Sequence, residues 1–131
     1  LEFLKLEHEY KLIWARLFYM YGDGQSELSL LPQLRKAVKE RRNSFKMSGG
    51  EQLRDYLPVT EVAKQLVLLA QKSKNIGIVN ICSGKPKSVR SLVEQWVSEN
   101  DWNIQLELGY YPYPDYEPME FWGVKGDEDV Y

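Results

Sequence analysis

Two stretches of this 131-residue chain are almost continuously apolar. They are residues 12–21, LIWARLFYMY, and residues 76–82, IGIVNIC. A strand with one face in water alternates apolar and polar side chains, whereas a strand buried on both faces in a parallel sheet does not. Both stretches therefore predict strands of a parallel sheet covered by helices. So few strands can hardly supply such a sheet alone, so we expect a missing partner, either the rest of a longer chain or another subunit.

The apolar positions elsewhere alternate between helical spacing and the two-residue spacing of a strand. The predicted helices are the end of one at 1–10 and further ones at 28–41, at 61–72 with Thr60 as N-cap, and at 88–100 with Ser88 as N-cap. The apolar stripe of the helix at 61–72 is wide, which predicts that this helix is buried over much of its circumference. Short strands are predicted at 44–48 and 104–108, an extended segment at 54–59, and no regular period after Gly109. This order predicts an α/β fold.

Composition excludes several classes of function. The chain has 17 Lys and Arg against 19 Asp and Glu, a net charge of −2, so no broad basic surface for nucleic acid or anionic lipid is expected. No apolar run approaches the roughly 20 residues of a membrane span, and we expect a cytoplasmic protein. Cys82 and His8 are the only cysteine and histidine, which excludes a zinc cluster of several such ligands, and no metal site is predicted.

Four segments, taken in order, resemble one family. They are residues 16–25, RLFYMYGDGQ; 50–59, GEQLRDYLPV; 79–84, VNICSG, followed by Ser88-Val89; and 109–113, GYYPY. Together they are similar to the C-terminal half of the NAD-dependent epimerase/dehydratase family, the extended short-chain dehydrogenases that act on nucleotide-activated sugars. Each motif alone is weak, but their order and spacing make the resemblance specific over residues 1–123.

The resemblance implies that substrate binding and dinucleotide binding belong to different parts of the protein. The family's glycine-rich turn for NAD or NADP and its Tyr-x-x-x-Lys pair do not occur in this sequence. The chain is therefore expected to be the substrate-binding portion plus the last two strands of a Rossmann-type sheet, without the N-terminal dinucleotide-binding part and without catalytic residues of its own. Residues 1–25 would end that core, 26–59 would form part of the substrate cap, 60–84 the last core helix and strand, and 85–131 the rest of the cap and a C-terminal loop.

The family comparison assigns expected roles to several residues near the nucleotide. Arg54 matches an arginine that binds the diphosphate of the nucleotide sugar, for which a planar guanidinium is well suited; an ion pair with Asp55 or Glu51 is the alternative. Phe45 and Met47 match positions that flank the base, although a strand burying them in a core would have the same pattern.

Four further residues match positions that line the same site. Leu30 lies near the nucleotide at the start of a cap helix, and Asn80 lines the pocket or clamps the backbone, since a buried amide needs hydrogen-bond partners. Phe18, assigned to the cofactor side, and Tyr19 follow a strand at the carboxyl edge of the sheet, where open α/β folds bind ligands. Many members have Asn where Tyr19 stands, a departure that removes a usual polar contact.

Residues 18–22, FYMYG, and 111–119, YPYPDYEPM, resemble a subgroup of the family that includes reductases and epimerases making deoxysugars for surface polysaccharides. In that subgroup an Arg commonly follows Pro-Tyr, but Pro114 stands there. The aromatic residues between Tyr110 and Trp122 either wall a sugar pocket or pack the C-terminal segment onto the cap. The predicted function is nucleotide-sugar binding within an NAD(P)-dependent epimerase, dehydratase or reductase that forms a homo-oligomer. The alternatives are a non-catalytic nucleotide-sugar binding module and a self-associating interaction domain.

Overall fold

The computed structural model describes residues 10–72 and 76–126, so the helix predicted at 1–10 lies outside the described residues except for Tyr10. Helices are α1 (Leu30–Lys39), α2 (Val59–Ala70) and α3 (Val89–Glu99). Strands are β1 (Ile13–Leu17), β2 (Tyr19–Tyr21), β3 (Ser44–Lys46), β4 (Leu53–Arg54), β5 (Tyr56–Pro58), β6 (Gly77–Ile81), β7 (Lys87–Ser88), β8 (Gln105–Glu107) and β9 (Glu120–Phe121). The predicted mixed α/β class is confirmed.

The two apolar stretches meet as the parallel pair β1–β6, with Ile13 opposite Gly77 and Leu17 opposite Ile81. One face of this pair packs against α2 through buried side chains: Val62, Leu69, Val79 and Ile81. On the other face, the paired residues Trp14 and Ile78 are 51% and 61% exposed. Within the described residues nothing covers the Trp14–Ile78 face, as the expectation of a missing partner implies, and burial of that face stays a prediction.

The first apolar stretch is two strands and not the one strand predicted over 12–21. After Leu17 the chain leaves the β1–β6 pair at Phe18, and β2 then pairs in parallel with β5, Tyr19 lying opposite Tyr56. The stretch is apolar because it serves two successive sheets. A uniform apolar pattern carries no mark of that change of partner, which is why the sequence alone predicted one strand.

A second apolar cluster lies between α1, α3 and β3, and we call it the cap core. Its buried members are Leu31, Leu34, Ala37, Phe45, Met47, Val89, Leu92, Val93, Trp96 and Ile104. Strand β3 pairs in parallel with β8. Next to it, β4 lies between antiparallel β7 and parallel β9. Strand β9 falls in the region where no regular structure was predicted, because two residues are too few to show a period.

Of the two predicted helix N-caps, one is confirmed and one is wrong, and the predicted burial of α2 also differs from the structure. The Ser88 hydroxyl accepts a hydrogen bond from the Ser91 amide at 3.1 Å, which confirms Ser88 as the N-cap of α3. Thr60 is not the N-cap of α2, because β5 runs straight into the helix and Pro58 takes that place. The prediction of a widely buried α2 is also wrong in this structure, since Leu66 and Val67 are exposed.

Two leucines near the start of α1 test the cap core. Leu34 is fully buried, whereas Leu28 is 83% exposed just before the helix. We expect Leu34→Ala to lower the free energy of unfolding by about 2–5 kcal/mol, because it leaves a cavity among well-packed side chains. Leu28→Ala, the matched control, should change it by less than about 0.5 kcal/mol. Urea denaturation measures both, and equal losses in the two variants would contradict this assignment of the core.

Candidate functional site

The candidate site lies at the carboxyl ends of the parallel strands. Strands β1 and β6 end at the same edge, and this edge carries Phe18 and Tyr19 after β1 and Asn80 near the end of β6. Such edges are where open α/β sheets bind ligands. Arg54, at the end of β4, lies 5.7 Å from the centre of the Tyr19 ring. The structure therefore brings four of the residues predicted for the site to one part of the molecule.

Arg54 is 2% exposed and is held by the C-terminal part of the chain. Its Nη2 donates to the Glu117 carboxylate and to the Pro118 carbonyl, both at 2.7 Å. Its Nη1 donates to the Leu53 carbonyl at 2.8 Å and to the Met119 carbonyl at 3.4 Å. The ion-pair partner is therefore Glu117, 63 residues away in sequence, and not Asp55 or Glu51.

Residues 117–124, which we call the 117–124 segment, cross the carboxyl edge of the β1–β6 pair. The Phe121 ring stacks on Phe18 with centroids 5.5 Å apart and meets the Tyr19 ring edge-on at 6.2 Å. The Asn80 amide donates to the Val124 carbonyl at 2.9 Å, the backbone clamp considered for this residue. Gly123 packs so closely that a Cβ there would lie 2.5 Å from the Cys82 Cβ.

Asp55, next to Arg54 in sequence, performs a separate task. Its carboxylate is fully buried and accepts hydrogen bonds from the backbone amides of Ser83 at 2.7 Å and Gly84 at 2.8 Å. These bonds hold the turn that follows β6, where Gly84 has a positive φ of 70°. Sequence reasoning considered Asp55 only as a partner for Arg54. The sequence gives no distinct signal for this buried role, because Glu51, Gln52 and Arg54 precede Asp55 and make the segment polar.

The residues predicted to flank the base lie elsewhere, in the cap core. Phe45 and Met47 are buried there, and Leu30 packs against the same cluster. Tyr56 connects the two regions, because it packs on the cap core and its ring lies 5.3 Å from that of Tyr19. The structure therefore does not bring Leu30, Phe45 and Met47 into direct contact with the Arg54 region.

One edge of Phe45 nevertheless reaches a cavity of about 370 Å³ at the cap surface. The other lining residues are Gln33, Arg42, Asn43, Ser44, Lys46 and Tyr111. Side-chain amides and a hydroxyl can hydrogen-bond the edge of a base, and the aromatic rings can stack on it. Sequence reasoning did not find these polar residues, because they are scattered over α1, the turn after it and β3.

The aromatic residues between Tyr110 and Trp122 do not form one wall. Tyr110 lies beneath the Lys46 ammonium, 4.1 Å from the ring centre. The Tyr113 hydroxyl accepts a hydrogen bond from the Glu51 amide at 3.1 Å, at another side of the cap. Phe121 contacts both Phe18 and Tyr19. The aromatic contribution to the carboxyl edge is therefore much smaller than the composition of this region suggests.

Two groups near the edge have a raised pKa. Burial raises the pKa of the Cys82 thiol, and the nearby Asp55 carboxylate raises it further. Burial also raises the pKa of the Tyr56 hydroxyl, with Tyr19 adding to the effect. A protonated thiol is a poor nucleophile, and the Cys82 side chain is fully buried against Gly123.

Residues 10–72 and 76–126 contain neither a cluster of metal ligands nor a helix that could span a membrane. Those residues contain no group of three or more His, Cys, Asp or Glu side chains placed to hold a metal ion. None of the helices described there has the length and apolar character needed to cross a membrane.

Comparison with known proteins gives a consistent result. The model of the NAD dependent epimerase/dehydratase family matches residues 3–82, more than half of the chain. The dTDP-6-deoxy-L-talose 4-dehydrogenase (NAD(+)) of Aggregatibacter actinomycetemcomitans is 33% identical over 124 residues, covering 95% of this chain and 46% of the relative. The chain thus spans less than half the length of this relative.

Solved structures show the same fold. The UDP-N-acetylglucosamine 4-epimerase of Methanobrevibacter ruminantium, in complex with UDP-N-acetylmuramic acid, superposes with a TM-score of 0.83 at 22% identity over 98% of this chain and 42% of that one. An NAD-dependent NDP-hexosamine 5,6-dehydratase involved in tunicamycin biosynthesis has a TM-score of 0.67 at 30% identity, covering 84% of this chain and 35% of its own.

The Asp55 turn yields a prediction for this edge. We expect Asp55→Asn to lower the free energy of unfolding by about 1.5–3 kcal/mol, because the neutral amide replaces two charge-assisted hydrogen bonds and sets an N–H against a backbone N–H. Asp115→Asn, the same change at an exposed position, should be nearly neutral. Guanidinium chloride denaturation compares the two. A wild-type midpoint for Asp55→Asn would show that the turn does not depend on this carboxylate.

Proposed function

Because the chain belongs to the NAD dependent epimerase/dehydratase family, we propose that it binds the nucleotide sugar in an NAD- or NADP-dependent enzyme that modifies the sugar. The observation that carries the proposal is the position of Arg54. Its guanidinium lies beside Tyr19 and in contact with the 117–124 segment at the carboxyl edge of parallel strands. A planar guanidinium at this position suits a diphosphate.

The exposed face of the β1–β6 pair supports a longer protein. Trp14 and Ile78 lie side by side on it, and parallel strands are stable when both faces are covered. The relative from Aggregatibacter is about twice as long as the part of it that this chain matches. We therefore propose that the face is covered by an N-terminal part of the same protein, which adds strands to β1–β6. That part would carry the glycine-rich turn and the Tyr-x-x-x-Lys pair.

Different described residues would contact the diphosphate, the sugar and the base of the substrate. Arg54 would bind the diphosphate, and Tyr19 would contact the sugar side with a ring that packs on a pyranose face and a hydroxyl that hydrogen-bonds it. The base would lie against the cap near Leu30, Phe45 and Met47, where the polar cavity beside Phe45 offers amide groups to its edge. Asn80, bound to the Val124 carbonyl, would fix the wall of this pocket.

Among the described residues, only Phe18 is proposed to contact the cofactor. Phe18 lies at the carboxyl edge, where dinucleotides bind in such sheets, and its ring is held by Phe121. It would give the cofactor an apolar contact and exclude water from that side. The nicotinamide, when bound, supplies the hydride chemistry. This chain's residues position the substrate and shield it, and no catalytic acid or base is assigned to them.

The named relatives narrow the substrate class. The Aggregatibacter relative is named as a dehydrogenase of a dTDP-linked 6-deoxyhexose, and the tunicamycin relative as a dehydratase of an NDP-hexosamine. We propose a nucleoside-diphosphate-linked hexose, modified on the route to a deoxysugar of a surface polysaccharide. Self-association remains the second candidate, because the exposed Trp14–Ile78 face could instead meet a second copy of the chain. The predicted homo-oligomer is compatible with either.

Calorimetric titration with UDP, CDP and dTDP tests the proposal. We expect one nucleotide to bind, and Arg54→Lys to weaken it about tenfold, roughly 1.4 kcal/mol, because lysine keeps the charge but loses the planar fork. Arg90→Lys, on the exposed surface of α3, is the matched control and should bind as the wild type does. NAD serves as the ligand control.

Two outcomes would contradict the proposal. One is the absence of binding for all three nucleotides in the complete protein. The other is equal weakening by Arg54→Lys and Arg90→Lys, which would mean that the loss is a general effect of replacing an arginine and does not report a contact at Arg54. Thermal melting of both variants, with unchanged midpoints, would show that folding is intact.

A further inference from the structure

The contacts of Arg54 leave little of its guanidinium for a ligand. Both terminal nitrogens are engaged, Nη2 with Glu117 and Pro118 and Nη1 with Leu53 and Met119. Three of these four acceptors belong to the 117–124 segment. A diphosphate that uses the same fork needs the same N–H groups, so the segment and the diphosphate exclude one another at Arg54.

We infer that the 117–124 segment regulates the site by competing with the substrate's diphosphate for Arg54, and that the Glu117 carboxylate is the group the diphosphate displaces. This inference rests on the proposed function, since it concerns the same arginine. It adds a property of this chain that nucleotide binding alone does not imply. Substrate would enter only as the segment releases Arg54.

Glu117 is chemically suited to stand in for a phosphate. Guanidinium binds carboxylate and phosphate with the same geometry, and both bonds are charge-assisted. Glu117 offers one oxygen, Oε1, to Nη2, and its side chain is 28% exposed although Arg54 is only 2% exposed. A diphosphate brings more negative charge and more acceptor oxygens, and it can approach from the side on which Glu117 meets solvent. The exchange therefore replaces one anion by a stronger one and never leaves the buried cation unpaired.

Release of Arg54 by Glu117 would also change contacts along the rest of the carboxyl edge. Met119, which accepts from Arg54, also accepts from the Leu53 amide at 2.8 Å. Two residues further on, Phe121 packs on both Phe18 and Tyr19. Withdrawal of Glu117 from Arg54 would thus loosen the β4–β9 pairing and free the rings that face the sugar and the cofactor. Binding at the diphosphate position and opening of the sugar position become one event.

The inference predicts that weakening the internal competitor strengthens binding. In Glu117→Gln the side chain keeps its shape but loses its charge, and a neutral hydrogen bond is roughly half as strong as a charge-assisted one. The fraction of protein with Arg54 available should rise, and the apparent affinity with it. We expect UDP, CDP or dTDP, whichever binds the wild type, to bind Glu117→Gln about five- to tenfold more tightly. Glu120→Gln removes the same charge from an exposed side chain of the same segment and should leave affinity unchanged.

The experiment is calorimetric titration of the complete protein, as its gene encodes it, with the three nucleotides and the two variants. Tighter binding by Glu117→Gln alone supports the inference. Equal or weaker binding by Glu117→Gln, with normal binding by the wild type, overturns the inference and leaves the proposed function intact. Binding by neither protein overturns the proposed function as well.

Hydrogen exchange on the wild type tests the same inference without any variant. The Leu53 amide bonds to Met119 in the segment, whereas the Val89 amide bonds to the Gln52 carbonyl at 3.0 Å beside it. Saturating nucleotide should speed exchange at Leu53 and leave Val89 unchanged. Slower exchange at Leu53 on binding, or no change there, would show that the segment stays in place and would overturn the inference even if Glu117→Gln did not fold.

Discussion

The burial of the Arg54 guanidinium is the constraint around which the carboxyl edge is organised. An ion cannot be removed from water unless acceptors replace its hydration, and an unpaired buried charge costs several kcal/mol. Leu53, the preceding residue of the same strand, contributes one carbonyl, and the remaining acceptors come from Glu117, Pro118 and Met119. A segment without a periodic apolar pattern is thereby fixed across the ends of β1 and β6. Its position follows from the needs of the cation more than from its own preference for a strand.

The adjacency of Arg54 and Asp55 shows how one short motif can hold two distant segments. Neighbouring side chains of extended backbone point to opposite sides, so these two opposite charges do not pair with each other. Arg54 binds residues 117–119, and Asp55 binds the amides of Ser83 and Gly84. The two segments flank the same edge. Replacing either charge would therefore disturb a different wall of the site, and the local ion pair considered as the alternative for Arg54 does not form.

Features set by local chemistry could be predicted from the sequence. The Ser88 cap, the amphipathic α1 and the alternation of helices and strands depend on neighbours within a few residues, and the structure agrees with them. The partner of Arg54, the change of sheet after Leu17 and the two-residue strand β9 depend on contacts more than 30 residues away. Periodicity contains no information about such contacts. Family resemblance assigned Arg54 and Tyr19 to one site, and the structure places them 5.7 Å apart, but the resemblance could not show that Glu117 completes their surroundings.

The same distinction explains the two locations of the predicted nucleotide-binding residues. Phe45 and Met47 alternate with Lys46 along β3, and alternation places both on the face that the cap core covers. A base can meet only the edges that the core leaves accessible, such as the part of Phe45 that lines the polar cavity. Under the proposed function, recognition of the base would come from the polar rim, and the apolar pair would set the shape of its floor. Arg54 lies beside Tyr19, and the tilted, contacting rings of Tyr19 and Tyr56 lie between the cap core and the carboxyl edge. A nucleotide sugar that uses both regions must pass over these two rings, so its base and its diphosphate are read by structurally independent parts of the chain.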